Sequence, residues 1–139
     1  MKYIDGKGKV MGRLASHVAK LLLEGEQVYV GNVEKIIIVG DKRMILKKYR
    51  KKQELIHTRK GPYYPRRPDR IFKRTVKNML PYQKHRGRAA LENFRAFVGM
   101  PDEYFPKKAK FSQVKDADRG TPVKYIELGD VSKMIGGNF

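Results

Sequence analysis

The 139-residue sequence contains no cysteine. Disulfides, thiolate nucleophiles and cysteine-based zinc sites are therefore excluded together. Long apolar runs are missing too. The longest purely aliphatic stretch is Ile36 to Val39, far short of the ~20 residues that span a bilayer. The opening residues Met1-Lys2-Tyr3-Ile4-Asp5-Gly6-Lys7 carry no apolar signal core, so a cytosolic protein with no membrane partner is expected.

Acidic residues are scarce, and this decides more. Fourteen Asp and Glu face thirty-two Lys and Arg, for a net charge of +18 on 16.1 kDa. Solubility asks for a net charge of only about 2–8 on a small domain. A charge density this high opposes compaction, so a polyanionic partner is its natural counterpart. The window Lys42 to Arg88 holds eighteen of the basic residues and only two acids, Glu54 and Asp69, for a net of +16. Both flanks are close to neutral. Such segregation points to a folded platform with a basic helical and loop insertion, not a basic tail.

Catalytic and ligand-binding motifs are also few. No carboxylate pair stands where the charge is concentrated, and Ser16 and Ser112 lack the glycines of a nucleophile elbow. The three histidines, His17, His57 and His85, are far apart and lack metal-ligand spacing. No G-x-x-x-x-G-K-[ST] phosphate loop occurs. Gly6-x-Gly8-x-x-x-Gly12 is one residue too long for a dinucleotide fingerprint, and Gly31-Asn32 stands where that motif wants an acid. A tight strand-to-helix turn explains the same glycines. No enzyme activity, cofactor, metal or small-molecule substrate is expected.

What is present reads as one α/β domain over 1–139, of a size that folds without metal or disulfide staples. Lys2 to Asp5 is a strand. Leu14, Val18, Leu21 and Leu22 make one face of a helix over Met11 to Glu24, closed by Gly25. Gln27 to Val30 and Lys35 to Val39 are strands, the second apolar enough for burial on both faces. Their pairing is open. Asp41 caps a basic helix to about Leu55 with a thin stripe, Ile45 and Tyr49, then Ile56.

A second clear helix runs from Pro68-Asp69 to Leu80. Phe72, Val76, Met79 and Leu80 share one face, and Arg70, Lys73, Arg74 and Lys77 the other. Lys84 to Arg88 reads as a basic linker into a short helical stretch, Ala89 to Asn93. Phe94 to Val98 is a strand. Beyond about 102 the chain reads as an extension, weakly patterned until a strand at Val123 to Leu128. Asp130 then caps a final turn.

The loop His57 to Pro68 is the most informative segment. Five basic residues flank Tyr63 and Tyr64, and Pro62, Pro65 and Pro68 limit the conformations lost on binding. Lys and Arg neutralise phosphates, and a tyrosine can stack on an unpaired base. In an extended segment adjacent side chains point apart, so one tyrosine is expected to face the domain and the other the nucleic acid. No helix-turn-helix, zinc-finger or zipper pattern is visible, which favours a folded RNA over DNA.

The candidate RNA contacts fall on five segments. The first helix offers Arg13, His17 and Lys20, and the second Arg43, Lys47, Lys48, Arg50 and Lys51. The loop brings His57, Arg59, Lys60, Tyr63, Tyr64, Arg66 and Arg67. Arg70, Lys73, Arg74 and Lys77 follow on the next helix, and Lys84, His85, Arg86 and Arg88 in the linker.

Several of these segments resemble a known family. Val76-Lys77-Asn78-Met79-Leu80-Pro81, then Arg86-Gly87-Arg88, then Phe94-Arg95-Ala96-Phe97-Val98-Gly99 is similar to the signature of large-subunit ribosomal protein L-thirteen. Gly12-Arg13-Leu14-Ala15-Ser16 resembles that family's first helix, and Asn32-Val33-Glu34-Lys35 with Gly40-Asp41-Lys42 another of its segments. Pro62 to Pro68 resembles the archaeal and eukaryotic branch, and the short chain suits the archaeal form. The likeness runs to about Pro101, with Tyr125 to Gly129 and the Gly136 end familiar beyond it. Asn78, Phe94 and Gly31 depart from the pattern, and Gly31 is expected to loosen its strand end. The resemblance implies a three-layer α/β/α domain around a mainly parallel four-stranded sheet. It further implies a non-catalytic place on large-subunit ribosomal RNA, in subunit assembly, beside neighbouring ribosomal proteins. A free regulatory RNA-binding protein and, further off, a nucleotide-binding enzyme are the alternatives.

Overall fold

The computed structural model describes residues 1–55, 59–61, 63–108, 110–114 and 124–139. Ile56, His57, Pro62 and Val123 lie outside the described residues.

Three strands form a parallel sheet in the order β1 (Lys2–Asp5), β2 (Val28–Gly31), β4 (Phe94–Ala96). Between the first two, α1 (Met11–Leu23) makes the crossover that parallel pairing requires. Gly25, at φ 89°, ends α1, with its N–H donating to the Leu22 carbonyl. A 3-10 turn (Val33–Lys35) leads to β3 (Ile37–Val39). The helices α2 (Lys42–Glu54), α3 (Pro68–Asn78) and α4 (His85–Glu92) precede β4, and β5 (Tyr125–Glu127) runs into α5 (Leu128–Met134).

The open pairing of the second and third strands resolves as separation. β3 pairs antiparallel with β5, Ile38 opposite Ile126, while β2 stays in the parallel sheet. The expected four-stranded sheet is thus divided into three strands and two. Burial on both sides is found only at the start of the expected strand, where Ile36 and Ile37 are buried; Ile38 is half-buried and Val39, on a two-stranded edge, is exposed.

Period-two alternation explains the two sheet faces. Ile4, Val28, Val30 and Phe94 point to one side, where Leu14, Val18 and Leu22 of α1 and Ile71, Phe72 and Val76 of α3 complete the core. The Phe72 and Phe94 rings meet at 5.8 Å and 60°. Tyr3 and Tyr29 point to the other side. There they meet Phe105 at 5.8 and 6.5 Å, and Phe97 stacks on Tyr104 at 4.6 Å. Among the described residues this second face is covered by an irregular strap, so the three-layer helix–sheet–helix arrangement does not appear.

Other boundaries move for physical reasons. Helix α4 begins at His85, so the expected linker Lys84 to Arg88 is mostly helical. Met79 follows the last turn of α3 and is 43% exposed, leaving Leu80 to reach the core. Asp130 lies in the first turn of α5 and is not its cap; Glu127 occupies that position. Gly31 keeps its place as the last residue of β2. It pairs in register with Asp5, and a Cβ there would meet Met100 Cγ at 2.9 Å and the Gly99 carbonyl at 3.2 Å, so the close approach of that segment favours glycine.

The described part of 102–139 feeds the interior, through Val114, Ile126, Leu128, Val131 and Ile135. Gly129 lets α5 sit on the 3-10 turn, where a Cβ would meet the Glu34 carbonyl at 2.9 Å. The basic window is likewise built into the domain, since α3 gives the core Ile71, Phe72 and Val76.

Candidate nucleic-acid interface

Asp41 starts α2 by accepting from the Arg43 backbone N–H at 2.9 Å. Ile45 and Tyr49 are buried, and the rest of the helix is mostly exposed. Its outer side carries Arg43, Lys47, Arg50 and Lys51 around a shallow groove that also holds Leu46 and Glu54. Lys48 is exposed on the flank nearer α3.

The chain 63–67 is tied down between α2 and α3. The Gln53 side chain donates to the Tyr64 carbonyl at 3.1 Å and accepts from Arg66 Nε at 3.1 Å. Ser132 Oγ of α5 donates to the Arg66 carbonyl. One amide and one hydroxyl thus fix a stretch with no regular structure of its own. Tyr63 is 58% exposed, whereas Tyr64 is half-buried with its ring 5.9 Å from Tyr49. Arg59 and Lys60 are exposed before them.

On α3 the two faces separate as the spacing predicts. Arg70, Lys73 and Lys77 are exposed opposite buried Phe72 and Val76. Arg74 departs from its expected group. It is half-buried, donates to the Tyr63 carbonyl at 3.1 Å, and lies 5.0 Å over the Tyr64 ring. Arg67 is exposed but stands 3.4 Å from Asp69, one of the two acids in the window.

Helix α4 packs against α1 and β4. Lys84, His85, Arg86 and Arg88, all exposed, are therefore positioned by α1 and β4 and not by α2. Along α1, Arg13 and Lys20 are exposed and His17 is half-buried, and Lys20 shares a shallow depression with Met79. His57 lies outside the described residues. The structure thus brings α2, the loop and α3 together around one groove, while α3 also packs on α1, which in turn carries α4.

Residues 1–103 match the family model described as Ribosomal protein L13. The chain belongs to the ribosomal protein L13 family. A large ribosomal subunit protein uL13 of Methanosarcina barkeri is 46% identical over 142 residues, covering 100% of both chains. That of Archaeoglobus fulgidus is 43% identical, with 96% of this chain and 86% of the relative covered. That of Haloarcula marismortui is 39% identical, with 97% and 90% covered.

For this L13-family chain, sequence reasoning passed over Lys52. It continues the stripe of Ile45 and Tyr49 at i+7, and that spacing is the signal that could have found it. Its Nζ lies 5.0 Å from the Tyr49 ring centre and 4.6 Å from that of Tyr64. Burial first, then the neighbouring Lys48 and Arg74, hold its pKa below the usual lysine value. Tyr82 was passed over too, and Lys77 lies 5.0 Å over its ring. Among the described residues no group of three or more His, Asp or Glu could hold a metal ion, and no helix is long and apolar enough to cross a membrane.

Proposed function

We propose that this chain is a structural, non-catalytic constituent of the large ribosomal subunit, holding large-subunit ribosomal RNA and supporting subunit assembly in the cytoplasm. Family membership supports this reading, and one structural observation carries the RNA contact. Most of the cations of residues 42–88 point outward, and α2 and α3, which carry many of them, have core residues on their other faces, so that charge is held toward a partner. A pre-organised cationic wall binds a polyanion without the entropy cost of ordering a tail.

Residues 1–139 act as one domain, with 42–88 as its RNA-facing region. Arg43, Lys47, Lys48, Arg50, Lys51, Arg59, Lys60, Arg70, Lys73 and Lys77 meet phosphates from the α2–α3 wall. Arg13, Lys20, Lys84, His85, Arg86 and Arg88 do so from α1 and α4. Arg66, Arg67 and Arg74 combine that role with bracing the loop. Neighbouring ribosomal proteins of the subunit are the chain's secondary contacts.

Sedimentation of cell extract tests the reading. The protein should travel with the large subunit and leave it on RNA digestion or at raised salt. A protein found mainly free, yet still bound to RNA, would favour a regulatory binder instead.

A further inference from the structure

Between α2 and α3, floored by the loop, lies a groove of about 460 Å³. Its volume falls within the roughly 300–1,000 Å³ typical of small-molecule sites. Its walls are of two kinds. Met11, Leu55 and Met79 are apolar, while Lys48, Lys52 and Arg74 are cationic, and none of the described residues lining it is acidic. Three cations converge here without a carboxylate, and two of them are packed on one tyrosine. Like charges held this close repel, and the nearest compensation would be an anion entering the groove.

An apolar slot beside an uncompensated cation cluster fits one chemical shape well: a flat heterocycle joined to a phosphate. We infer that this groove receives a single unstacked nucleotide of the bound RNA. The base lies against Leu55, Met79 and the Arg74 guanidinium plane, and its phosphate meets Lys48 and Lys52. Arg74 is already fixed by its bond to the Tyr63 carbonyl, so its plane is set before RNA arrives. Tyr64 serves as the floor that positions both cations and is not itself the stacking surface, because Lys52 and Arg74 lie over its ring. The Asn78 amide, also in the lining, stands where a base edge can hydrogen-bond, whereas the Thr75 hydroxyl already donates to the Ile71 carbonyl and has only acceptor capacity left. A protein segment is the poorer occupant, since it would have to bring its own acid to three cations.

The inference rests on the RNA-binding reading, and the test separates the two. Full-length protein is titrated with transcribed large-subunit ribosomal RNA at 50 and 200 mM salt, with thermal melts in parallel. Leu55 and Met79 are 57% and 43% exposed, so Leu55→Ser with Met79→Ser should melt like the wild type. The double variant should lose affinity about five-fold or more at both salts with an unchanged salt slope, since base contacts release no counterions. Met79→Trp, which fills the groove from an exposed position, should lose a similar amount. Lys48→Gln should instead lower the slope by about 1.

Affinity within two-fold of wild type for both groove variants would overturn the nucleotide site while leaving the RNA-binding reading intact. A loss seen only when other large-subunit proteins are added would also overturn it, in favour of a protein occupant. Wild-type binding that is flat in salt would overturn the RNA-binding reading itself.

Discussion

The Tyr64 ring meets Tyr49 at 5.9 Å and 63°, edge toward face, and this contact joins the basic loop to the buried side of α2. Such aromatic pairs add about 0.5–1.5 kcal/mol beyond the area they bury. The contact also fixes which of two adjacent tyrosines looks inward. Tyr63, one residue earlier, is left 58% exposed.

Unequal roles for the two tyrosines follow. Tyr64→Ala should cost about 2 kcal/mol of stability from lost burial and ring contact. Tyr63→Ala should leave the melting temperature nearly unchanged and weaken RNA binding by a factor that persists at high salt. Melts and binding on the two single variants check this; equal melting temperatures would contradict it.

The two faces of α3 should also separate. Phe72 is fully buried against Phe94, so Phe72→Ala should cost ~3–5 kcal/mol. Lys73→Gln with Lys77→Gln should leave stability alone and reduce the salt slope by about 2. Wild-type affinity should fall roughly 10³-fold between 50 and 200 mM salt if six or more phosphates are contacted. Filter binding across that range measures both quantities.

Gly87 marks a close approach that composition cannot show. A Cβ there would fall inside the carbonyl carbon and oxygen of Pro81, both backbone atoms that cannot rotate away. Gly87→Ala should therefore destabilise by about 3 kcal/mol, at the upper end of overpacking costs. Gly12→Ala is the contrast. Nothing lies within 4 Å of its added Cβ, so it should be neutral or stabilise by up to about 0.5 kcal/mol. Denaturant midpoints of the two variants decide the point.

Stability should fall in alkali through Tyr49. Burial first, then the charge and hydrogen bond of Tyr64, hold its pKa well above the ordinary 10.0. A folded value above the unfolded one means the contribution is complete below pH 10 and is lost as pH rises beyond it. Lys52 acts with the opposite sign. Its pKa is depressed by burial, so neutralising it favours the fold as pH rises toward the ordinary 10.5. Melting temperatures from pH 8 to 11 should show a net decline in the wild type and a shallower one in Tyr49→Phe. Identical declines would remove Tyr49 from the account.

The sequence by itself determined β1, α1 and α3, because each bears a local signal. Alternation places Ile4 inward, the spacing of Leu14, Val18 and Leu22 defines one helix face, and Phe72 and Val76 oppose Lys73 and Lys77. It also located the charge and the family likeness, since counts and motifs need no coordinates. Only the tertiary structure decided the partner of β3, because hydrogen bonding between Ile38 and Ile126 spans a sequence distance that no local pattern encodes. It alone brought Tyr64 to Lys52, whose inward stripe was legible in the spacing, and turned Arg74 onto the same ring while leaving Lys73 and Lys77 outside. All four are cations on basic helices, and what distinguishes them is which neighbour occupies the space beside each helix face. Burial is a property of that neighbour as much as of the residue, and it exists only once the chain has folded.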